Sequence, residues 1–335
     1  MNNAAFQNYQ PTLQPLLELC QTDLTKVNSV ILGSVQQSVP LITDIAQHIV
    51  RSGGKRLRPC LTIACAKLLN LTNERHINLA ASVELIHTAT LLHDDVVDES
   101  AMRRGIETAN HVWSNQASVL VGDFLLSRAF QLMVADSSIP VLKLLSDASA
   151  TISQGEVKQL AATGDLTTDK ELYLEIINAK TAVLFSAACE IAPIIGEAYE
   201  LRESFANFGS NLGIAFQLVD DALDYAGDSE VMGKNIGDDL REGKITLPII
   251  IAYENATSAE QNFWHDIFAE DAILDNKKLN EVSKLIAKYD GVKQTLSLAR
   301  EYLERADNDL ISINGESQTT AALKSTLAFC LNRQN

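Results

Sequence analysis

Apolar residues recur at helical spacing along nearly the whole of this chain, and that period limits its fold more than any other feature. In LAASVELIHTATLLHDDVVD, Leu85, Ala89, Leu92 and Val96 fall at i, i+4, i+7 and i+11, one face of an α-helix. Similar spacing runs through ASVLVGDFLLSRAFQLM, DKELYLEIINAKTAVLFSAACEIAPIIG and the stretch from Phe205 to Tyr225. No region sustains period-two alternation between turn signals, so the reading is all-α, with about ten or more helices. The chain has 335 residues, 46% of them hydrophobic, and no Pro/Ser-rich linker, which favours one large helical domain over residues 1–335. Residues 1–15 are expected to be flexible.

Breaks in the period mark the connections. Arg51 to Pro59 is a basic, Gly-containing turn, with Pro59 suited to the first turn of a helix. Ser100 to Gly105 ends another helix, and Pro248 starts one. Gly227 to Lys244 (GDSEVMGKNIGDDLREGK) is glycine-rich and charged, and reads as a long loop of the kind that carries function. It is expected to be a mobile lid. From about Ser258 the sequence is polar amphipathic helix without distinctive chemistry.

The formal charge is −16, which argues against nucleic acid as a general partner. It leaves room for a small anionic substrate where a basic pocket or bound cations reverse the local field. The cysteines, Cys20, Cys60, Cys65, Cys189 and Cys330, are odd in number and form no CxxC pair; they read as reduced thiols of an intracellular, cytoplasmic protein. The N-terminus shows no signal peptide. The longest strongly apolar run, near Thr246 to Tyr253, falls short of the ~20 residues of a membrane helix, so no transmembrane segment is expected.

One pattern occurs twice. LLHDDVVDES holds Asp94, Asp95 and Asp98, and FQLVDDALDY holds Asp220, Asp221 and Asp224. On a helix Asp98 lies ~40° around from Asp94, with His87 within ~20° of Asp94, while Gln217, Asp220, Asp221 and Asp224 share an arc of ~100°. Like charges at this spacing repel, and apolar surroundings make them costlier. Mg2+ answers both costs, since it prefers oxygen ligands and bridges carboxylates to substrate phosphates. The plainer alternative is a solvated acidic face or a helix-cap cluster. Asp95 sits off the stripe, with a structural role equally open to it.

Basic residues accompany these motifs. SGGKRLRP supplies Lys55, Arg56 and Arg58 beside two glycines, and Arg103 and Arg104 follow the first aspartates. Lys180, Lys234 and Lys244 are further candidates, each also readable as ordinary surface charge. Arg and Lys grip phosphate oxygens, so the set suggests two anionic substrates, one held through metal and one by direct contact. Glu84 and His87 form an ExxH pair, but a di-iron site needs a second pair that the chain lacks. His93 reads equally as structural or functional.

Taken together, GGKRLRP (Gly53 to Pro59), DDVVDESAMRR (Asp94 to Arg104), DDALD (Asp220 to Asp224) and GKNIGDDLREGKITLP (Gly233 to Pro248) resemble the trans-isoprenyl diphosphate synthases. With motifs the likeness spans about residues 40 to 255. IHTATLLHDDVVDES and NQASVLVGDFLLSRAFQLM are most similar to the bacterial octaprenyl and decaprenyl diphosphate synthases. The resemblance implies a helical bundle of the isoprenoid synthase type with a central substrate cavity, a homodimer, and addition of isopentenyl diphosphate to an allylic diphosphate such as farnesyl diphosphate. It implies a product used as a quinone (ubiquinone) side chain, with peripheral membrane contact for product release.

It also implies residue roles. Lys55, Arg58, His87 and Arg104 would hold isopentenyl diphosphate. Asp94, Asp98 and Asp220 would bind Mg2+, with Asp221 and Asp224 supporting. Arg103, Lys180, Lys234 and Lys244 would contact the allylic diphosphate, and Thr181 and Gln217 would flank the reacting carbon, so that Lys180, Thr181 and Gln217 form the catalytic set. Small Ala89 and Thr90 below the first aspartates would let the tail pass, leaving Met133 and Leu145 as candidates for a deeper floor, although either reads equally as core. The alternatives are a shorter-chain (geranylgeranyl or farnesyl) synthase, a class I terpene cyclase, which would usually lack GGKRLRP and an intact second DDxxD, and a non-catalytic subunit of a heteromeric synthase, which would have lost aspartates.

Overall fold

Helix starts follow from local chemistry. Ser114, Ser138, Asp169, Asp275 and Ser317 each accept a hydrogen bond from a backbone N–H in the first turn of the helix that follows, satisfying donors that would otherwise be orphaned. Thr257 and Glu260 form a reciprocal capping box. The computed structural model describes residues 9–36, 39–51, 54–103, 105–226, 237–269, 273–313 and 317–333.

The helices are α1 (Gln14–Val35), α2 (Pro40–Arg51), α3 (Leu57–Leu68), α4 (Arg75–Val97), α5 (Ala109–Val112), α6 (Asn115–Asp136), α7 (Ile139–Ala161), α8 (Lys170–Ile177), α9 (Val183–Ile195) and α10 (Arg202–Asp224). They continue as α11 (Asp238–Arg241), α12 (Leu247–Glu254), α13 (Ser258–Ile267), α14 (Asn276–Lys288), α15 (Gly291–Ile313) and α16 (Gln318–Asn332). A π-helical turn, Asn178–Ala182, joins α8 to α9.

The architecture is all-α, with one departure from the sequence expectation. Met102–Arg103 (β1) pairs antiparallel with Ile106–Glu107 (β2), closed by Gly105 at φ +76°. Two residues per strand are too few to leave a period-two signal. At the N-terminus, residues 1–8 lie outside the described residues, but the expected flexibility does not extend through residue 15: Leu13 is buried and α1 begins at Gln14. Leu13 and Leu16 are apolar anchors that tie this end to the core.

Helices α4 and α10 lie at the centre. α4 packs on α6, α3, α1 and α9, and α10 packs on α9, α15 and α16. α4 and α6 run antiparallel: Ser118 Oγ donates to Leu92 O at 2.8 Å near one end, and Arg75 holds Asp136 through two 2.8 Å bonds at the other. The apolar core runs from Leu13 to Cys330 without interruption.

Among the described residues, length and composition alone would let two helical stretches cross a membrane, which no single strongly apolar run in the sequence indicates. In Lys170–Ile195, 61% of the apolar window is buried inside the fold, so the core accounts for its hydropathy. Asn115–Asp136 is only 39% buried, and α6 leaves Leu120 and Val134 largely exposed.

Candidate active site

The first aspartates stand at the C-terminal end of α4. Asp94 is largely buried, with Lys180 Nζ 3.9 Å from its Oδ2. Burial, reinforced by Glu156 and Asp98 and opposed by Lys180, pushes its carboxyl up to about 7. Asp98 caps the helix and pairs with Lys244 at 2.9 Å. Asp95 faces away into the β1 ribbon, where it is buried and bonded to Arg103 at 2.7 Å. Arg103, expected at the allylic diphosphate, pairs with Asp95 here, eight residues back along the chain. The adjacent carboxylate is its nearest opposite charge. His93 Nε2 lies 3.2 Å from Val119 O and 3.4 Å from Asp123 on α6, a packing position between helices.

Opposite α4, the π-helical turn presents Lys180 and Thr181. Single π turns insert an extra residue and re-aim side chains. Here the backbone is gripped on two sides by glycines. A Cβ at Gly155 of α7 would lie 2.8 Å from Lys180 N, and one at Gly213 of α10 would lie 2.6 Å from Ala182 Cα. Lys180 Nζ donates to Glu156 at 2.6 Å and Gln159 at 2.7 Å. Thr181 Oγ1 donates to Gln217 Oε1 at 2.9 Å, which turns the Gln217 amide so that Nε2 donates to Asp221 Oδ1 at 2.7 Å. Tyr173 Oη donates to the other Asp221 oxygen at 2.5 Å.

The second motif thus divides by exposure. Asp221 is buried, and desolvation raises it to about 7 despite the Tyr173 and Gln217 bonds. Asp224 accepts from the backbone N–H groups of Asp238 and Asp239, yet burial still raises it to about 6. Asp220 points outward and is held by Arg333 at 2.5 Å. Asp239 is pushed well up by burial and then by Asp221 and Asp224. Burial would lower Lys244, but Asp98 and Glu242 more than offset it, so Lys244 stays charged. A cavity of about 80 Å³ opens between these groups, with Lys180, Thr181, Gln217, Asp221, Asp239 and Lys244 on its wall.

Part of the basic set lies outside the described residues: Gly53, Arg104 and Lys234, and most of the expected lid, residues 227–236. The remainder of that loop departs from the expected irregular form, since Gly237 at φ +82° starts the helical turn α11. Lys55 is exposed, with Nζ 4.7 Å from the Phe329 ring centroid. Arg56 pairs with Glu84, which removes Glu84 from any ExxH metal pair. Arg58 stacks on Phe185 at 4.4 Å. His87 is half-buried on α4. Ala89, Met133 and Leu145 are fully buried in the core, Thr90 is half-buried, and none of the four lines the cavity.

Sequence reasoning passed over Glu156, Gln159, Tyr173, Asp239 and Arg333. Asp239 had a local signal, a GDD triplet within a segment already singled out. The others carry none, because their partners are remote in the chain.

The donor set fits a hard divalent cation that protein alone does not cage. Among the described residues no three His, Cys, Asp or Glu side chains converge closely enough to hold a metal unaided. Yet Asp94, Asp221 and Asp224 are all raised by burial. Carboxylate oxygens short of positive charge, too few for a full shell, suit an ion whose remaining ligands are water and phosphate.

Comparison with known proteins gives the following. A family profile described as polyprenyl synthetase matches residues 39–286. The octaprenyl diphosphate synthase of Haemophilus influenzae is 38% identical over 323 residues, covering 96% of this chain and 97% of that protein. The crystal structure of a decaprenyl diphosphate synthase from Rhodobacter capsulatus superposes with a TM-score of 0.91 at 41% identity, covering 96% of this chain and 100% of that one. A polyprenyl synthase from Caulobacter crescentus, complexed with calcium and isoprenyl diphosphate, has a TM-score of 0.91 at 41% identity, covering 97% and 98%.

Proposed function

The chain belongs to the polyprenyl synthetase family, and we propose that it is a long-chain all-trans polyprenyl diphosphate synthase of octaprenyl or decaprenyl type. Polyprenyl synthases use a divalent metal; here the metal is Mg2+. The observation that carries the reading is that Lys180 and Lys244, which face Asp94 and Asp98 of α4, line one cavity with Thr181 and with Gln217 and Asp221 of α10.

The residues divide the work. Asp94, Asp98 and Asp220 would hold Mg2+, supported by Asp221 and Asp224. When bound, it supplies positive charge to the departing pyrophosphate. Arg103, Lys180, Lys234 and Lys244 hold the allylic diphosphate, while Lys55, Arg58, His87 and Arg104 hold isopentenyl diphosphate. Fixed cations stabilise charge that develops on the leaving group. Thr181 and Gln217, locked to one another, lie against the allylic carbon as it ionises. The double bond of isopentenyl diphosphate attacks it, and a proton then leaves to the pyrophosphate, so no protein base is required. The chain works in the cytoplasm as a homodimer, touches the membrane to release product, and feeds a quinone side chain.

The test is to incubate pure protein with isopentenyl diphosphate, farnesyl diphosphate and Mg2+, then size the products. Long prenyl diphosphates are expected. Asp94→Ala should cut turnover roughly a thousandfold or more, with the helical circular dichroism unchanged. A cyclic hydrocarbon would identify a terpene cyclase, and product only after a second subunit is added would identify a non-catalytic chain. Wild-type turnover that persists in EDTA would exclude the metal role.

A further inference from the structure

Just past α16, Arg333 folds back onto the second aspartate motif. Its Nη2 donates to Asp220 Oδ1 at 2.5 Å and to Phe216 O at 3.2 Å, and its guanidinium lies 4.1 Å from the Phe216 ring centroid. The side chain is only 8% exposed, whereas that of Asp220 is 53% exposed. Arg333 Nε is buried and, among the described residues, has no hydrogen-bond partner. Phe216 packs on Phe185 at 5.6 Å, and Phe185 carries Arg58 on its ring. The end of α16 is therefore joined through Phe216 and Phe185 to Arg58 in the first turn of α3, and directly to Asp220 of α10.

We propose that Arg333 is a displaceable counter-ion, which neutralises Asp220 when no divalent cation is bound and gives up the carboxylate when one binds. This rests on the reading that Asp220 is a metal ligand. The guanidinium occupies the oxygen such a ligand would offer. A divalent cation at Oδ1 would meet a fixed positive charge at contact distance, and like charges there repel. The arginine can release Asp220 without losing its place, because the Phe216 ring and carbonyl hold it independently of that carboxylate. The ion pair thus opposes metal binding by its own strength, and it keeps Asp220 from standing uncompensated before substrate arrives.

The test uses the full chain with Mn2+ as probe, followed by electron paramagnetic resonance at fixed inorganic pyrophosphate, in wild type, Arg333→Gln and Asp220→Asn. Arg333→Gln should bind Mn2+ about three- to fivefold more tightly, the scale of a partly exposed ion pair. Its thermal midpoint, below wild type without metal, should rise further on adding Mn2+. Asp220→Asn should bind more weakly. If Arg333→Gln binds equally or more weakly while Asp220→Asn is impaired, Arg333 is a fixed structural contact and the inference fails, with the metal reading intact. If Asp220→Asn binds Mn2+ as wild type does, Asp220 is not a ligand and both ideas fall. Arg333→Lys, which keeps charge but loses the fork and most of the ring contact, should lie between wild type and Gln, and guards against a folding defect in the first variant.

Discussion

Asp221 is 4% exposed, and each of its oxygens has one donor, Tyr173 or Gln217. That arrangement costs less than an unbonded buried carboxylate and fixes the Gln217 amide beside Thr181. Tyr173→Phe removes one donor without changing shape. A hydrogen bond to a charged group is worth about 1.5–3 kcal/mol, so urea unfolding should show a loss of that order. Turnover should also fall, because Gln217 loses its fixed partner. Unchanged unfolding would mean that Asp221 is protonated and needs no donor. The reach across 48 residues explains why Tyr173, one of seven tyrosines, could not be picked out from the sequence.

Among the elements, α4 is where the proposed function puts control of product length. Ala89 lies five residues before Asp94, ~7–8 Å along the helix. Met133 sits near the end of α6, one turn before Asp136, and Asp136 meets Arg75 at the opposite end of α4 from the aspartates. Met133 therefore lies well below Ala89, as a deeper floor requires. We predict that Ala89→Phe shortens the product to a few prenyl units, read by chromatography of the dephosphorylated alcohols. A ring in so closed a core should also destabilise the chain by about 1–3 kcal/mol, so a melting curve must accompany the assay. An unchanged product distribution in folded protein would mean that the tail takes another route, and the cavity beside Ile176 and Ile177 would then be the place to look.

For the whole molecule, burying carboxylates has a consequence for stability. Asp94 and Asp221 are raised from 3.8 to about 7, and Asp224 to about 6, by desolvation first. A raised carboxyl binds protons in the folded state that the unfolded chain has already lost. Its contribution is thus fully present below pH 3.8 and is lost as pH rises through about 7. The metal-free chain should therefore melt higher at about pH 5.5 than at about pH 8, and the formal charge of −16 acts in the same direction. Added Mg2+ with pyrophosphate should flatten the difference. A metal-free midpoint that rises with pH across this window would show that the aspartates are paired more fully than the geometry indicates.

Sequence alone determined the features set by neighbours along the chain. The helical period settled the all-α class, because backbone hydrogen bonds and apolar faces repeat within a few residues. The doubled aspartates marked two helices of the candidate site, because their repulsion is written at i, i+1 and i+4. Tertiary structure decided which charges meet. Lys244 reaches Asp98 across 146 residues, and Arg333 reaches Asp220 across 113. Arg103 turned to Asp95, eight residues away, only because the β1 ribbon folds back. Such pairings depend on how helices pack and on which side chain arrives at the nearest opposite charge, and no local pattern in the chain encodes either.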